Sequence, residues 1–217
     1  MLLVRRVTAY LVEVLLLFTL LAAVGYLIQW LLGFAPARTG AEVWYTMLVT
    51  ERRKTMLLKI WRFLTLLFAA LSMAMAFGGH LLQLPPRMSY DAALWRNTQS
   101  MYQLFGPPVG AIIEGGAWVS AVVLAILVRR RRPAFRWTVI GAFCFVLAQV
   151  AWWLFVFPVN QRMINWTPQT MPPDWMRWRA QWEYTHAVRA LLQIGGLAAL
   201  FVSVLVETPA ASKDRTG

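Results

Sequence analysis

Charge is scarce in this chain, and cysteine scarcer still. Of 217 residues only 14% are charged, and Cys144 is the single cysteine. Lying inside an apolar run with no second thiol, it can form no internal disulfide, gives no mark of redox compartment, and reads as a small core residue. Histidine occurs twice. No spacing of Cys and His resembles a zinc or c-type haem site, no glycine-rich loop resembles a nucleotide site, and no Gly-x-Ser-x-Gly elbow is present. The usual marks of soluble-enzyme chemistry are therefore missing. Acids are also few, nine Asp and Glu against 21 Lys and Arg, for a net charge of +12. Such a balance can signal nucleic acid, but these cations flank apolar runs and build no basic face. The positive-inside rule explains them more simply, and no nucleic-acid partner is expected.

What the chain does have is apolar length. It is 59% hydrophobic with a mean hydropathy of +0.56, outside the range of an ordinary soluble domain. A spanning helix needs roughly 20 mainly apolar residues, and five runs qualify: about 8–33, 60–84, 107–128, 137–159 and 185–206. Lipid offers the backbone no hydrogen-bond partner, and the short alternating pattern of a membrane barrel is absent, so the fold class is all-α. The expectation is a polytopic membrane helix bundle, a four-helix core plus one additional N-terminal transmembrane helix. Residues 1–34 form an anchor helix, too long in its apolar part and without the small-x-small site of a cleaved signal. Residues 35–59 are a cytoplasmic link, 60–207 the core with two long aromatic outer loops, and 208–217 a polar tail.

Arginine and lysine near the span ends set orientation. Arg129 to Arg132 with Arg136 place the third-to-fourth connection in the cytoplasm. Arg38, Arg52, Arg53, Lys54 and Lys59 place the first-to-second link on the same side, leaving the C-terminus cytoplasmic and the N-terminus outside, against the pull of Arg5 and Arg6. A bacterial inner membrane is the expected location. The outer connections carry Tyr90, Trp95, Tyr102, Phe105, Trp166, Trp175, Trp178 and Trp182, either an interfacial aromatic belt or a cap over a pocket. Paired prolines at 85–86, 107–108 and 172–173 bound these segments and stiffen them.

Ionisable residues within spans are costly and usually face a bundle interior. Glu13, His80, Glu114, His186 and Arg189 are such residues, and the helical rise of about 1.5 Å per residue puts all of them in the outer leaflet. In "DWMRWRAQWEYTHAVRALLQ", Trp175, Trp178, Trp182, His186, Arg189 and Gln193 recur at intervals of three and four, which makes one helical stripe. Asp174 before it fits an N-cap. Such a stripe serves packing or chemistry. Arg189 inside the span needs a partner, with Glu114 the first choice and Glu13 the second; an Arg–Glu clasp holding helices is the structural alternative. Small residues Ala70, Ala74 and Gly78, Gly116 and Ser120, and Gly195 and Ala199 would let helices approach closely.

"PVNQRMINWTPQTMPPDWMRWRAQWEYTHAVRALL", with Asn160, Trp166, Asp174, Trp175, Arg179, Trp182, Glu183, His186 and Arg189, resembles the anthrone oxygenase-like family of small integral membrane proteins. So do "LPP" after a glycine-containing helix and the later "FGPPVGAIIEGGA". The resemblance covers about residues 60–207. It implies a four-helix core and, for some members, cofactor-independent oxidation of anthrones to anthraquinones. The matching expectation is an oxidoreductase for an apolar aromatic or quinone-like substrate. His186 or His80 would be the base, Arg189 would stabilise an oxyanion or enolate with Glu114 beside it, and Trp175, Trp178, Trp182 and Asn160 would bind the substrate. A metal held by His80, His186 and Glu114, or haem between the two histidines, has no local spacing to support it, so neither metal nor cofactor is assigned. The competing expectation is a non-catalytic accessory or assembly subunit bound to other membrane subunits.

Overall fold

The computed structural model describes residues 40–208. The expected first span at 8–33, Glu13, and the tail beyond residue 208 lie outside the described residues. The chain divides into two compact units, Met1–Met56 and Leu57–Gly217. Within the first, residues 40–56 are helical, so this part of the expected polar link is regular structure. Everything below concerns the second unit.

Among the described residues there is no strand, and four helices are long and apolar enough to cross a membrane. The elements run α1 (Gly40–Ala76), α2 (Leu84–Met88), α3 (Ala92–Phe105), α4 (Ala111–Leu127), α5 (Arg132–Ala151), α6 (Phe157–Met163) and α7 (Trp175–Leu205). Single π-helical turns at Phe77–Leu81, Gly106–Gly110 and Trp152–Val156 extend α1, precede α4 and follow α5. Such turns recur at functional sites because the extra residue re-aims the side chains around it.

The two connections expected as outer loops are largely helical. Pro85 and Pro86 occupy the first turn of α2 and Pro158 that of α6, where a missing N–H costs nothing. Asp91 Oδ1 accepts from Leu94 N–H at 2.8 Å and so caps the start of α3, satisfying one of its free donors. Asp174 stands at the N-cap position of α7 but makes no capping bond; its carboxylate instead accepts from Trp178 Nε1 at 2.9 Å.

Apolar side chains cover the outside of the bundle, with Phe63, Phe143, Leu154 and Leu205 more than half exposed, the surface a bilayer requires. The chain is thus an integral membrane helix bundle in lipid contact. Inside, one core joins Ala69, Ala117, Phe145, Leu197 and Leu200. Small residues sustain it, though not all those the spacing suggested. A Cβ on Gly116 would meet the Phe68 ring at 2.6 Å, one on Gly141 would meet Leu200 Cγ at 2.8 Å, and one on Gly196 would meet Phe145 Cε2 at 2.9 Å. Ala70 packs against this core, but Gly195 and Gly78 face open space and Ala74 is exposed, the fully buried face of α1 being Ala69, Ser72 and Ala76. The reason is geometric: steps of four drift off a 3.6-residue helix by about 40° each, so a repeat of four does not stay on one face.

Candidate functional site

At about 1.5 Å per residue, the 31 residues of α7 extend roughly 46 Å, more than a hydrocarbon core of about 30 Å. It is therefore longer than a span requires, and α2, α3 and α6 pack on its first turns. Trp95, Val156, Val159, Met163 and Trp182 form a buried cluster there, joined by Tyr90, Tyr102, Trp166, Trp175 and Trp178. Aromatic residues from both of these connections thus converge into one body.

Beneath that body lie the two histidines. The π-turn after α1 carries His80 to His186, and their rings stack with centroids 3.9 Å apart and planes 28° apart. Tyr102 also stacks on His80 at 5.1 Å. Trp182, one turn before His186, comes within 4.0 Å of its ring and presents an edge-on contact to His80 at 5.2 Å. Asn160 fixes that indole by accepting from Trp182 Nε1 at 2.8 Å. His186 Nδ1 lies 2.8 Å from Trp182 O. A carbonyl only accepts, so Nδ1 carries the proton and Nε2 the lone pair. His80 Nδ1 is buried and makes no hydrogen bond.

Two ion pairs flank the stack, one part-buried and one fully buried. Arg189 Nη2 lies 2.5 Å from Glu114 Oε2, and Arg189 Nε donates to Ala148 O at 2.9 Å, tying α7 to α4 and α5. On the other side Arg87 Nε stands 3.1 Å from Glu183 Oε1, with side chains 2% and 0% exposed. Arg87 Nη1 donates to Tyr102 Oη at 2.6 Å, Tyr102 Oη donates to Gly79 O at 2.7 Å, and Trp95 Nε1 donates to Glu183 Oε1 at 2.8 Å. With its amide turned to face these donors, Gln99 Oε1 accepts from Arg87 Nη2 at 2.7 Å and from Trp95 Nε1 at 3.2 Å. Glu183 Oε2 and Gln193 Oε1 are buried without a partner. Burial raises the Tyr102 phenol above the usual tyrosine value, a shift that the Arg87 charge opposes and Glu183 reinforces.

Of the residues singled out from sequence, His80, His186, Trp182 and Asn160 meet directly, and Glu114 pairs with Arg189. Trp175 lies 6.1 Å from Trp95 and under the Arg179 guanidinium at 4.7 Å. Trp178 packs against the same cluster, bonded to Asp174 and covered by Arg162 at 4.2 Å. Spacing alone missed Arg87, Glu183 and Gln99, and treated Trp95 and Tyr102 only as belt or cap. Glu183 carried a readable signal, three residues before His186 and four after Arg179, whereas Arg87 and Gln99 carried none.

The geometry bears on metals as well. Among the described residues no three His, Cys, Asp or Glu side chains stand close enough to hold an ion, so His80, His186 and Glu114 do not form a ligand set. Stacked imidazoles also aim their lone pairs along parallel planes, whereas an axial pair on haem must aim them at one iron. Fold and site together define an integral membrane helix bundle with an imidazole pair, His186 buried and His80 half-buried, set between two ion pairs. Compared with models of protein families, with curated proteins and with solved structures, the chain matches none.

Proposed function

We propose that the protein is an anthrone oxygenase-like oxidoreductase that works without a cofactor on an apolar aromatic or quinone-like substrate entering from the bilayer. The observation carrying this reading is the His80–His186 stack, walled by Trp182 and Tyr102. His186 Nε2, left with the lone pair by the Trp182 carbonyl, takes a proton from a CH2 flanked by aromatic rings. The carbanion gives its electrons to dioxygen, a C–O bond forms, and loss of water leaves a ketone, so R2CH2 and O2 become R2CO and H2O. Flat rings stack on Trp182, and Arg87 and Arg189 offset the developing negative charge.

The test is oxygen uptake and quinone absorbance when the detergent-purified protein receives a hydroxylated anthrone. His186→Ala and His80→Ala should each lower the rate about 100-fold or more, the usual worth of a general base. A wild-type rate equal to that of buffer, or variants as active as wild type, would sink the proposal.

One observation favours a second reading, a non-catalytic accessory subunit of a larger membrane complex. Arg189 already donates to Glu114 and to Ala148 O, and a guanidinium so engaged clasps helices well. Isolation in mild detergent with stoichiometric partner subunits, together with no oxidation, would establish it. We also propose a bacterial inner membrane location with the Arg129–Arg136 connection and the C-terminus in the cytoplasm. In a Cys144→Ala background, Gln169→Cys should react with an impermeant maleimide from the side opposite to Arg130→Cys; labelling of both from one side would refute the topology.

A further inference from the structure

The connection between α4 and α5 is unbalanced in charge. Arg129, Arg130, Arg132 and Arg136 are all exposed, and among the described residues none of them makes an ion pair. Arg131 reaches an acid, Glu207 Oε2, at 3.3 Å, but Arg62 contacts that same oxygen. One carboxylate thus serves two guanidinium groups while four more stand free, and mutual repulsion follows unless an anion comes from outside the chain. The place limits what that anion is. Exposed apolar side chains begin immediately on either side, Ile126 and Leu127 on α4 and Trp137 and Ile140 on α5. The cations therefore sit at the edge of the lipid-facing surface, at headgroup depth, with acyl-chain contacts directly beside them.

We infer that the Arg129–Arg136 turn, between the ends of α4 and α5, is a binding site for the headgroup of an anionic phospholipid. The phosphate lies against the free guanidinium groups, which offer paired N–H donors that a lysine would not, and the acyl chains lie along Ile126, Leu127, Trp137 and Ile140. Glu207 acts as an internal competitor, because it occupies Arg62 and Arg131. The inference does not depend on any chemistry at the histidines.

Native mass spectrometry of the detergent-purified protein tests it, with phosphatidylglycerol, phosphatidylcholine or inorganic phosphate as the added probe. Each arginine near a membrane surface is worth about 1 kcal/mol toward anionic lipid, or roughly fivefold. Arg130→Gln with Arg132→Gln should therefore weaken phosphatidylglycerol binding on the order of tenfold or more. Arg162→Gln with Arg177→Gln removes the same charge elsewhere and should leave binding within about twofold of wild type. Glu207→Gln should tighten binding several-fold, a gain that misfolding cannot mimic. Equal binding of phosphatidylglycerol and phosphatidylcholine, equal losses in the two double variants, displacement of the lipid by equimolar inorganic phosphate, or no gain in Glu207→Gln would each overturn the inference.

Discussion

The two halves of α7 are held by opposite means. From Arg179 to Gln193 its inward face carries Arg179, Trp182, Glu183, His186, Arg189 and Gln193, all buried. From Ile194 to Leu205 the inward face shrinks to Gly196, Leu197, Ala199, Leu200 and Ser203. Lipid tails are as apolar as leucine, so burying leucine between helices gains little; close approach and polar bonds are what hold a bundle together. The second half uses approach, bringing Gly196 against Phe145. Its polar links are made by Ser203, which bonds Thr138 at 2.6 Å and Ala134 O at 3.2 Å. The first half is filled instead with stacked rings and two ion pairs. Polar and aromatic contact in one half, and close approach in the other, is the difference.

Breaking an ion pair should disturb this contrast most. Arg87→Met leaves the Glu183 carboxylate buried against Trp95 without its cation, and removing one partner of a buried pair costs about 3–5 kcal/mol. Arg87→Met combined with Glu183→Leu removes both charges and should recover most of that loss. Thermal unfolding of the detergent-solubilised protein, followed by tryptophan fluorescence, measures both. A double variant as unstable as the single one would mean that shape, not charge, holds the outer half together.

Adjacent glycines sharpen the contrast from the other side. A Cβ at position 196 would come within 2.9 Å of Phe145 and 3.1 Å of Cys144 Cβ, whereas one at position 195 meets nothing within 4 Å. Gly196→Ala should cost about 1–3 kcal/mol through overpacking. Gly195→Ala should change stability by less than about 0.5 kcal/mol, or raise it slightly, since alanine favours helix by up to about 1 kcal/mol. Equal effects at the two positions would contradict the close α5–α7 approach.

Much of this was legible in the sequence. Apolar runs announced the four described spans, and period gave the stripe, whose Trp182, His186, Arg189 and Gln193 are all buried. Arg189 needed a carboxylate and Glu114 was the first choice; the two are paired. Spacing failed where contacts cross between a short connecting helix and a span. Nothing local ties Arg87 to Glu183 or Gln99 to Trp95, because the tie is made by how α2 and α3 fold over α7. It failed again for Ala74, where a repeat of four was trusted further than a 3.6-residue helix allows. The π-turn that delivers His80 has no sequence mark beyond the Gly78–Gly79 pair.

The smallest effect belongs to the link between these outer helices and the stack. Tyr102 Oη accepts from Arg87 Nη1 and shares its proton between Gly79 O, in the π-turn that holds His80, and the more distant Gln83 Oε1 at 3.2 Å, so Tyr102→Phe removes these hydrogen bonds and leaves the stacked ring. Unlike Arg87→Met it strands no charge, since Arg87 keeps Glu183, and its cost should be about 1–2 kcal/mol. The phenol also reports on its surroundings. Burial raises its pKa while Arg87 opposes the rise, so the folded protein keeps this proton at a pH where the unfolded chain has lost it. Stability should therefore stay level up to the usual tyrosine value and decline as pH climbs from there toward the raised folded value. The difference in ultraviolet titration between wild type and Tyr102→Phe isolates this group from the other tyrosines, and in Arg87→Met the transition should move higher still. A Tyr102 that ionises at or below the usual value would show the outer body open to water, and the first half of α7 would then be a surface instead of a wall.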